Sequence, residues 1–298
     1  MLGVRANASA ELVVVRAADK PKRHLQVMGD TTMPVELRNP VEHLLGDYAA
    51  ENKRLQAELG LGMCVTRTVA LCGAGPSLKR AKIKDADEVW ACNSALPWMI
   101  GQGLPVDVGL GMDQTPELLR EWSDPPDVKY YVASTCDPEL VRHLHAHGRR
   151  VFFFHNAVGF ADEIEHYHSW PPGYIVGHGS TVVSRSIGLA NWMGFHRVDL
   201  YGVDCAFDGD VVHANGDDYR AAYGNPVLLN AEIDGRVWIT RPDMLMDAVD
   251  IVRIAKAAGG LIRFQDGTLP AALLDKDDAF LDSVSRRLSP GESPQPGA

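Results

Sequence analysis

TVALCGAGPSLKRAKIKDADEVWACN, residues 68–93, opens with an apolar run, Val69-Ala70-Leu71-Cys72, of the length and composition of a buried strand. The run breaks into Gly73-Ala74-Gly75-Pro76-Ser77, and a short helix is expected from Leu78. A second apolar run, Val89-Trp90-Ala91-Cys92, ends on Asn93. Strand, glycine turn, helix and strand form the first unit of a parallel α/β sheet. Gly73 and Gly75 allow backbone angles closed to other residues and let the main chain approach a ligand with no Cβ in the way. Ser77 can cap the helix and leave free N–H groups facing the turn, a site that favours phosphate. Without a ligand the same residues make an ordinary strand-to-helix turn, and a lone glycine turn is a weak signal. The turn also departs from the two common fingerprints. A GxGxxG turn wants glycine or alanine where Leu78 stands, and the Gly-Lys-Ser/Thr of a P-loop is absent.

The rest of the composition fits this start. The chain has 298 residues, 46% of them hydrophobic, enough for one large α/β domain with appendages. A net charge of −10 argues against sequence-independent nucleic-acid binding but leaves room for a nucleotide, which needs only a local positive site. The cysteines (Cys64, Cys72, Cys92, Cys136, Cys205) show no CxxC and read as reduced core thiols, which implies a cytoplasmic setting. No apolar run approaches the ~20 residues of a membrane helix, and Met1 to Ala10 lacks the apolar stretch of a signal peptide.

Upstream, residues 1–40 have no sustained period and read as an irregular arm, with one strand within Glu11 to Arg16. Leu44, Leu45, Tyr48, Leu55 and Leu59 have helical spacing, so residues 41–62 are expected as an amphipathic helix. Its apolar face would lead into the sheet or serve as the contact of a homo-oligomer. Downstream, Val106 to Asp113 reads as a strand with an acidic last residue, where open α/β sheets place ligands. Strands at Tyr130 to Ser134 and Val151 to His155 alternate with helices at Pro116 to Trp122 and Pro138 to His147. His143, His145 and His147 read as an exposed helix end, because alternate helical residues point apart.

The second informative stretch is GHGSTVVSRSIGLANWMGFHRVDLYGVDCAFDGDVVH, residues 177–213. Gly179-Ser180-Thr181 is a second glycine turn opening a helix whose apolar face includes Val183, Ile187 and Leu189. Val198 to Val203 is a strand ending at Asp204. Two Gly/Ser-rich helix starts and two strand-end carboxylates in one sheet suggest a site for nucleotide phosphate and metal. Asn215 to Trp238 is a long connection of the kind that forms lids, and Asp243 to Ala258 is an amphipathic helix. From Asp275 the chain turns polar and then rich in Pro, Gly and Ser. The reading is thus an arm (1–40), a helix (41–62), an α/β Rossmann-like domain with a mostly parallel sheet and helices on both faces (63–274), and a disordered tail (275–298).

The ordered set GAGPSL, CN, PVDVGLGMD, GHGSTVVSRSIGLANWMGF, VDLYGVDCAF and VVH resembles the MptE-like family over roughly Val65 to Phe264. Its namesakes are archaeal 6-hydroxymethylpterin diphosphokinases; bacterial flagellin-modification factors and phage proteins share the domain. The same blocks are similar to bacterial sialyltransferases of glycosyltransferase family 42. The resemblance implies that Gly73, Gly75, Pro76 and Ser77 hold nucleotide phosphates, that Asn93 bonds the nucleotide, and that Gly179, Ser180 and Thr181 form a second cradle. It implies Asp107, Asp113 and Asp204 as metal ligands and Asp113, Asp204 and His213 as catalytic residues. One departure stands out. The sialyltransferases carry a general-base histidine just before the late helix, where this chain has Ile239-Thr240-Arg241; His213 could substitute only if its loop folds back.

Three functions follow. The first is a diphosphokinase-like transferase acting with ATP and Mg²⁺ on a hydroxyl acceptor. The second is a glycosyltransferase with a nucleotide-sugar donor, which needs a base for the acceptor hydroxyl. The third is an accessory protein that keeps the fold without the chemistry.

Overall fold

The computed structural model describes residues 14–16, 23–27, 31–35, 67–156, 174–176, 179–216, 227–265 and 267–288. The expected helix over 41–62, and with it the proposed oligomer contact, lies outside the described residues. So do residues 217–226 of the long connection.

The centre is β4 (Thr68–Cys72), all five of whose residues are buried. A strand covered on both faces needs a continuous apolar run, and β4 has one. The chain then steps outward in order through β5 (Glu88–Cys92), β6 (Val108–Gly111), β7 (Lys129–Ala133), β8 (Arg150–Asn156) and β9 (Tyr174–Val176). It returns through α4 (Val182–Trp192) to β10 (Arg197–Tyr201), on the other side of β4, and β13 (Ile262–Phe264) closes that edge. The eight strands run β13-β10-β4-β5-β6-β7-β8-β9, every pair parallel. The strand order therefore reverses between β4 and β10. In open sheets the crevice at such a reversal, beyond the carboxyl ends of the strands, is where ligands bind.

Helices α1 (Ala95–Gly101), α2 (Glu117–Glu121) and α3 (Pro138–Ala146) fill the connections between β5 and β8. Trp90 at the sheet centre packs edge-on against Tyr131 and Phe195, with ring centroids 5.4 and 5.2 Å away. Aromatic pairs favour that geometry, and it ties β5 to β7 and to the end of α4.

Two boundary expectations change. The arm contains a three-stranded antiparallel sheet, β1 (Val14–Arg16), β2 (Arg23–Val27) and β3 (Thr31–Val35). The chain past Asp275 is not a tail throughout, because α7 (Asp278–Leu288) is a helix with Leu281 fully buried. Leu281 joins a second core with Trp238 and Ile233 of the hairpin β11 (Leu229–Ile233) and β12 (Arg236–Thr240), with Leu245 and Val249 of α5 (Pro242–Ala257), and with Leu269 and Leu273 of α6 (Leu269–Leu273). The last third of the long connection is thus the hairpin, seated on that core. Among the described residues no helix is long and apolar enough to cross a membrane.

Candidate functional site

The first glycine turn and the end of β10 close on each other. Gly73 N–H donates to Tyr201 O at 2.8 Å and Gly75 N–H to Gly202 O at 2.8 Å. Asp204 then reaches into the turn: Ser77 N–H and Ser77 Oγ both donate to Asp204 Oδ2, at 3.1 and 2.9 Å. A carboxylate thus sits where the turn offers its N–H group to an anion. The turn leads into a five-residue 3₁₀ helix, Pro76–Arg80.

Gly75 has φ −66° and ψ 161°, angles that other residues adopt, so its freedom of backbone is not what the site uses. Close approach is. A Cβ on Gly75 would lie 2.7 Å from Gly202 O and 2.9 Å from Asp204 Cγ, and nearer still to Asp204 Oδ2. Gly202, by contrast, needs both properties. Its φ is +61°, and a Cβ would strike Gly73 O and come within 2.8 Å of Leu78 Cβ.

Asn93 forms a second station beyond β5. Its φ is +45°, the left-handed region that asparagine tolerates better than most residues. Several bonds hold it there, Leu96 N–H to Asn93 O at 3.1 Å among them. Asn93 N–H donates to Leu110 O at 2.8 Å, Trp122 Nε1 donates to Asn93 O at 3.1 Å, and Asn93 Nδ2 donates to Asp113 Oδ2 at 2.9 Å. Asn93 Oδ1 is buried and meets no partner among the described residues. A buried amide oxygen without a donor is costly, and a ligand donor would satisfy it. Asp113 is exposed as a residue, but its carboxyl rests against the protein. That desolvation, then the charge of Glu117, raises its pKa.

The second glycine turn opens α4. Gly179 has φ +76°, and a Cβ there would collide with the Ser184 side chain. Thr181 and Ser184 form a capping box: Ser184 N–H donates to Thr181 Oγ1 and Thr181 N–H to Ser184 Oγ, both at 3.1 Å. The box leaves the first-turn N–H groups of Val182 and Val183 without a partner among the described residues. Ser180 is exposed, and its Oγ donates to Asp247 on α5.

His213 lies half-buried on the loop after β10, and that loop does fold back: Ala214 N–H donates to Ala74 O at 2.7 Å.

Asp107 is elsewhere. The strand begins at Val108, not Val106, so Asp107 precedes it, at the amino edge. Its Oδ2 accepts from Val89 N–H at 2.8 Å and its own N–H donates to Val89 O at 2.9 Å. Asp87 does the same for β4, accepting from Thr68 N–H at 2.6 Å. Both acids satisfy leading strand donors. Asp113 and Asp204 share the carboxyl edge, but β6 and β10 are three strand spacings apart, about 14 Å at ~4.8 Å each. Each carboxylate has its own partner, Asn93 for Asp113 and Ser77 for Asp204. Among the described residues no three His, Cys, Asp or Glu side chains converge as a metal site. The three aspartates therefore do not fit a shared resident metal.

Sequence reasoning missed the acids of α5. Asp247 is half-buried, and burial, partly offset by the Ser180 bond, pushes its pKa up to about 6; Asp243 raises it and Arg241 lowers it. Asp250 is buried, and its pKa is pushed up to about 8 by burial and by Asp247. Across from them, burial and then the charges of Asp247, Asp204 and Asp250 raise the Cys205 thiol. The beginning of α5 thus stands beside Asp204 and Ser180. The one signal in the sequence was the place where α5 begins, where the resemblance asked for a histidine.

A profile described as 6-hydroxymethylpterin diphosphokinase MptE-like matches residues 44–210, more than half of the chain. A search of curated proteins returns no match. Among solved structures, the MAf glycosyltransferase from Magnetospirillum magneticum AMB-1 superposes with a TM-score of 0.50 at 16% identity, over 75% of this chain and 37% of that one. The chain thus spans well under half of that protein, and the likeness is one of fold. With a parallel sheet reversing at β4 and β10, glycine turns at its carboxyl edge and this match, the chain belongs to the MptE-like family.

Proposed function

We propose that this protein moves a diphosphoryl group from ATP to a hydroxyl acceptor, with the nucleotide lying across the β4–β10 reversal. The observation that carries this reading is the start of α4. It is an eleven-residue helix whose Val182 and Val183 N–H groups face the crevice end unpaired among the described residues. Phosphates are favoured there by those donors and by the helix dipole. The first turn is different, because Asp204 already accepts from Ser77. A carboxylate there repels phosphate but accepts hydrogen bonds from ribose hydroxyls. Gly73 to Ser77 therefore serve the nucleoside side, and Asn93 Oδ1 awaits a donor from base or acceptor. Magnesium enters this reading only with the phosphates of its substrate.

Glycosyl transfer from a nucleotide-sugar is the second reading. The separate partners of Asp113 and Asp204 favour it, since neither belongs to a three-ligand metal cluster among the described residues. Thermal shift with ATP, AMP and CMP-sugar, each with and without Mg²⁺, tests both. A ligand at a hundred times its Kd adds about 2.7 kcal/mol of stability. ATP alone raising Tm supports the first reading, CMP-sugar alone the second, and no shift with any nucleotide refutes both.

A further inference from the structure

We infer that Asp247 is the base that takes the proton of the acceptor hydroxyl in the transfer proposed above, a role that rests on that reading. The geometry singles it out. Asp247 sits in the second turn of α5, and its carboxylate accepts from Ser180 Oγ in the turn that opens α4. Two segments 67 residues apart are thereby joined next to the Val182 and Val183 N–H groups, which meet no partner among the described residues. The other carboxylates are less suited. Asp204 is engaged by both donors of Ser77. Asp113 stands beyond β6, bonded to Asn93. His213 is on the loop docked against the first glycine turn, the nucleoside side.

The chemistry agrees. A base works best with a pKa close to the working pH. Asp247 is pushed up to about 6, first by burial. The groups facing it are Ser180 from α4, Asp243 and Arg241 from the beginning of its own helix, Asp250 one turn on, and Cys205 from the loop after β10. Arg241 also pairs with Asp243, which leaves the two charges opposing each other near Asp247.

The step balances. The acceptor O–H gives its proton to the Asp247 carboxylate as its oxygen bonds to the β-phosphorus of ATP. The bond from that phosphorus to the oxygen bridging to the α-phosphate breaks, and AMP leaves with the electron pair. Asp247 later releases the proton to water.

The test uses the full chain, ATP as probe and water as stand-in acceptor, with AMP release and ATP affinity measured from pH 5 to 8. Asp247→Asn is expected to bind ATP within a few-fold of the parent at pH 7 and to lose ~10²–10⁴ in turnover. The parent rate should fall as pH drops through about 6, with no such limb in Asp247→Asn. His213→Ala should keep the limb where it is. Ser180→Ala should move it upward, because the Ser180 bond lowers the pKa of Asp247. Affinity gives a readout without turnover: protonating a carboxylate beside an anion tightens binding. Parent affinity should therefore gain on that of Asp247→Asn as pH falls through about 6, the protonation of ATP's own terminal phosphate being common to both. If the parent binds ATP and Asp247→Asn matches its turnover or its pH-dependent affinity, the role of Asp247 is refuted and the donor site stands. If the parent binds no nucleotide, the donor site fails and this inference fails with it.

Discussion

Replacing Gly75 by alanine tests whether the contact between the two strand-end turns is as tight as it looks. The new Cβ would lie 2.9 Å from Asp204 Cγ and closer to Oδ2, while real Cβ contacts keep at least 3.0 Å. Oδ2 would have to retreat by roughly 1 Å, which stretches the bonds from Ser77 N–H and Oγ, now 3.1 and 2.9 Å, beyond hydrogen-bond range. Hydrogen bonds to a charged group contribute about 1.5–3 kcal/mol each, so the gross loss is about 3–6 kcal/mol. Asp204 is only half-buried, and water recovers part of this, leaving about 2–4 kcal/mol. In a domain of this size each kcal/mol lowers Tm by about 2–4 °C, so a fall of about 5–15 °C is expected in a calorimetric or circular-dichroism melt. Because Gly75 has an ordinary φ, none of that fall is backbone strain. Asp204→Ala should already forfeit the Ser77 bonds, so adding Gly75→Ala to it should cost less than in the parent. A Tm for Gly75→Ala within about 2 °C of the parent would show that the turn yields freely and that Asp204 is not held there.

Other perturbations separate structure from function. Asp107→Ala should cost about 1–3 kcal/mol by orphaning Val89 N–H, with nucleotide affinity unchanged in calorimetry. Asp113→Asn keeps an acceptor for Asn93 and should leave Tm near that of the parent while altering turnover. Thr181→Ala removes the capping box of α4 and should cost about 1 kcal/mol in a denaturant titration, with weaker ATP binding. Asp250 has a folded pKa raised to about 8, above its unfolded value, so the folded state holds the extra proton and stability falls as pH rises from about 4 to 8. Asp250→Asn should match the parent near pH 4 and exceed it near pH 8; a constant difference across that range would refute the assignment.

The parts of the fold that depend on local pattern were legible. Val69 to Cys72 is a continuous apolar run because a parallel strand at the sheet centre is buried on both faces. The glycine turns announced themselves by spacing, and the acidic strand ends placed Asp113 and Asp204 at the carboxyl edge. Four things did not show. Asp107 looked like a site acid because strand limits are blurred by a residue or two, and a shift from Val106 to Val108 moves it outside the strand, at the amino edge. The clamp of Ser77 by Asp204 spans 127 residues, and no local period encodes such a contact. α7 reads as tail in the sequence because the chain past Asp275 turns polar and then rich in Pro, Gly and Ser, although Leu281, Val284 and Leu288 recur at helical spacing and seat the helix on the second core. The acids of α5 were hidden in the same way: Asp247 and Asp250 read as the polar face of an amphipathic helix until α4 and the β10 loop are placed against them.

The most direct test of the account is a crystal structure with a non-hydrolysable ATP analogue. The account predicts the nucleoside beside Gly73–Ser77 and Asp204, and phosphate oxygens within hydrogen-bond distance of Val182 and Val183 N–H. A nucleotide bound instead in the apolar cavity between the later turns of α4 and α5, lined by Ile187, Phe195 and Ile254, or with its phosphates on Ser77 in place of Asp204, would contradict it.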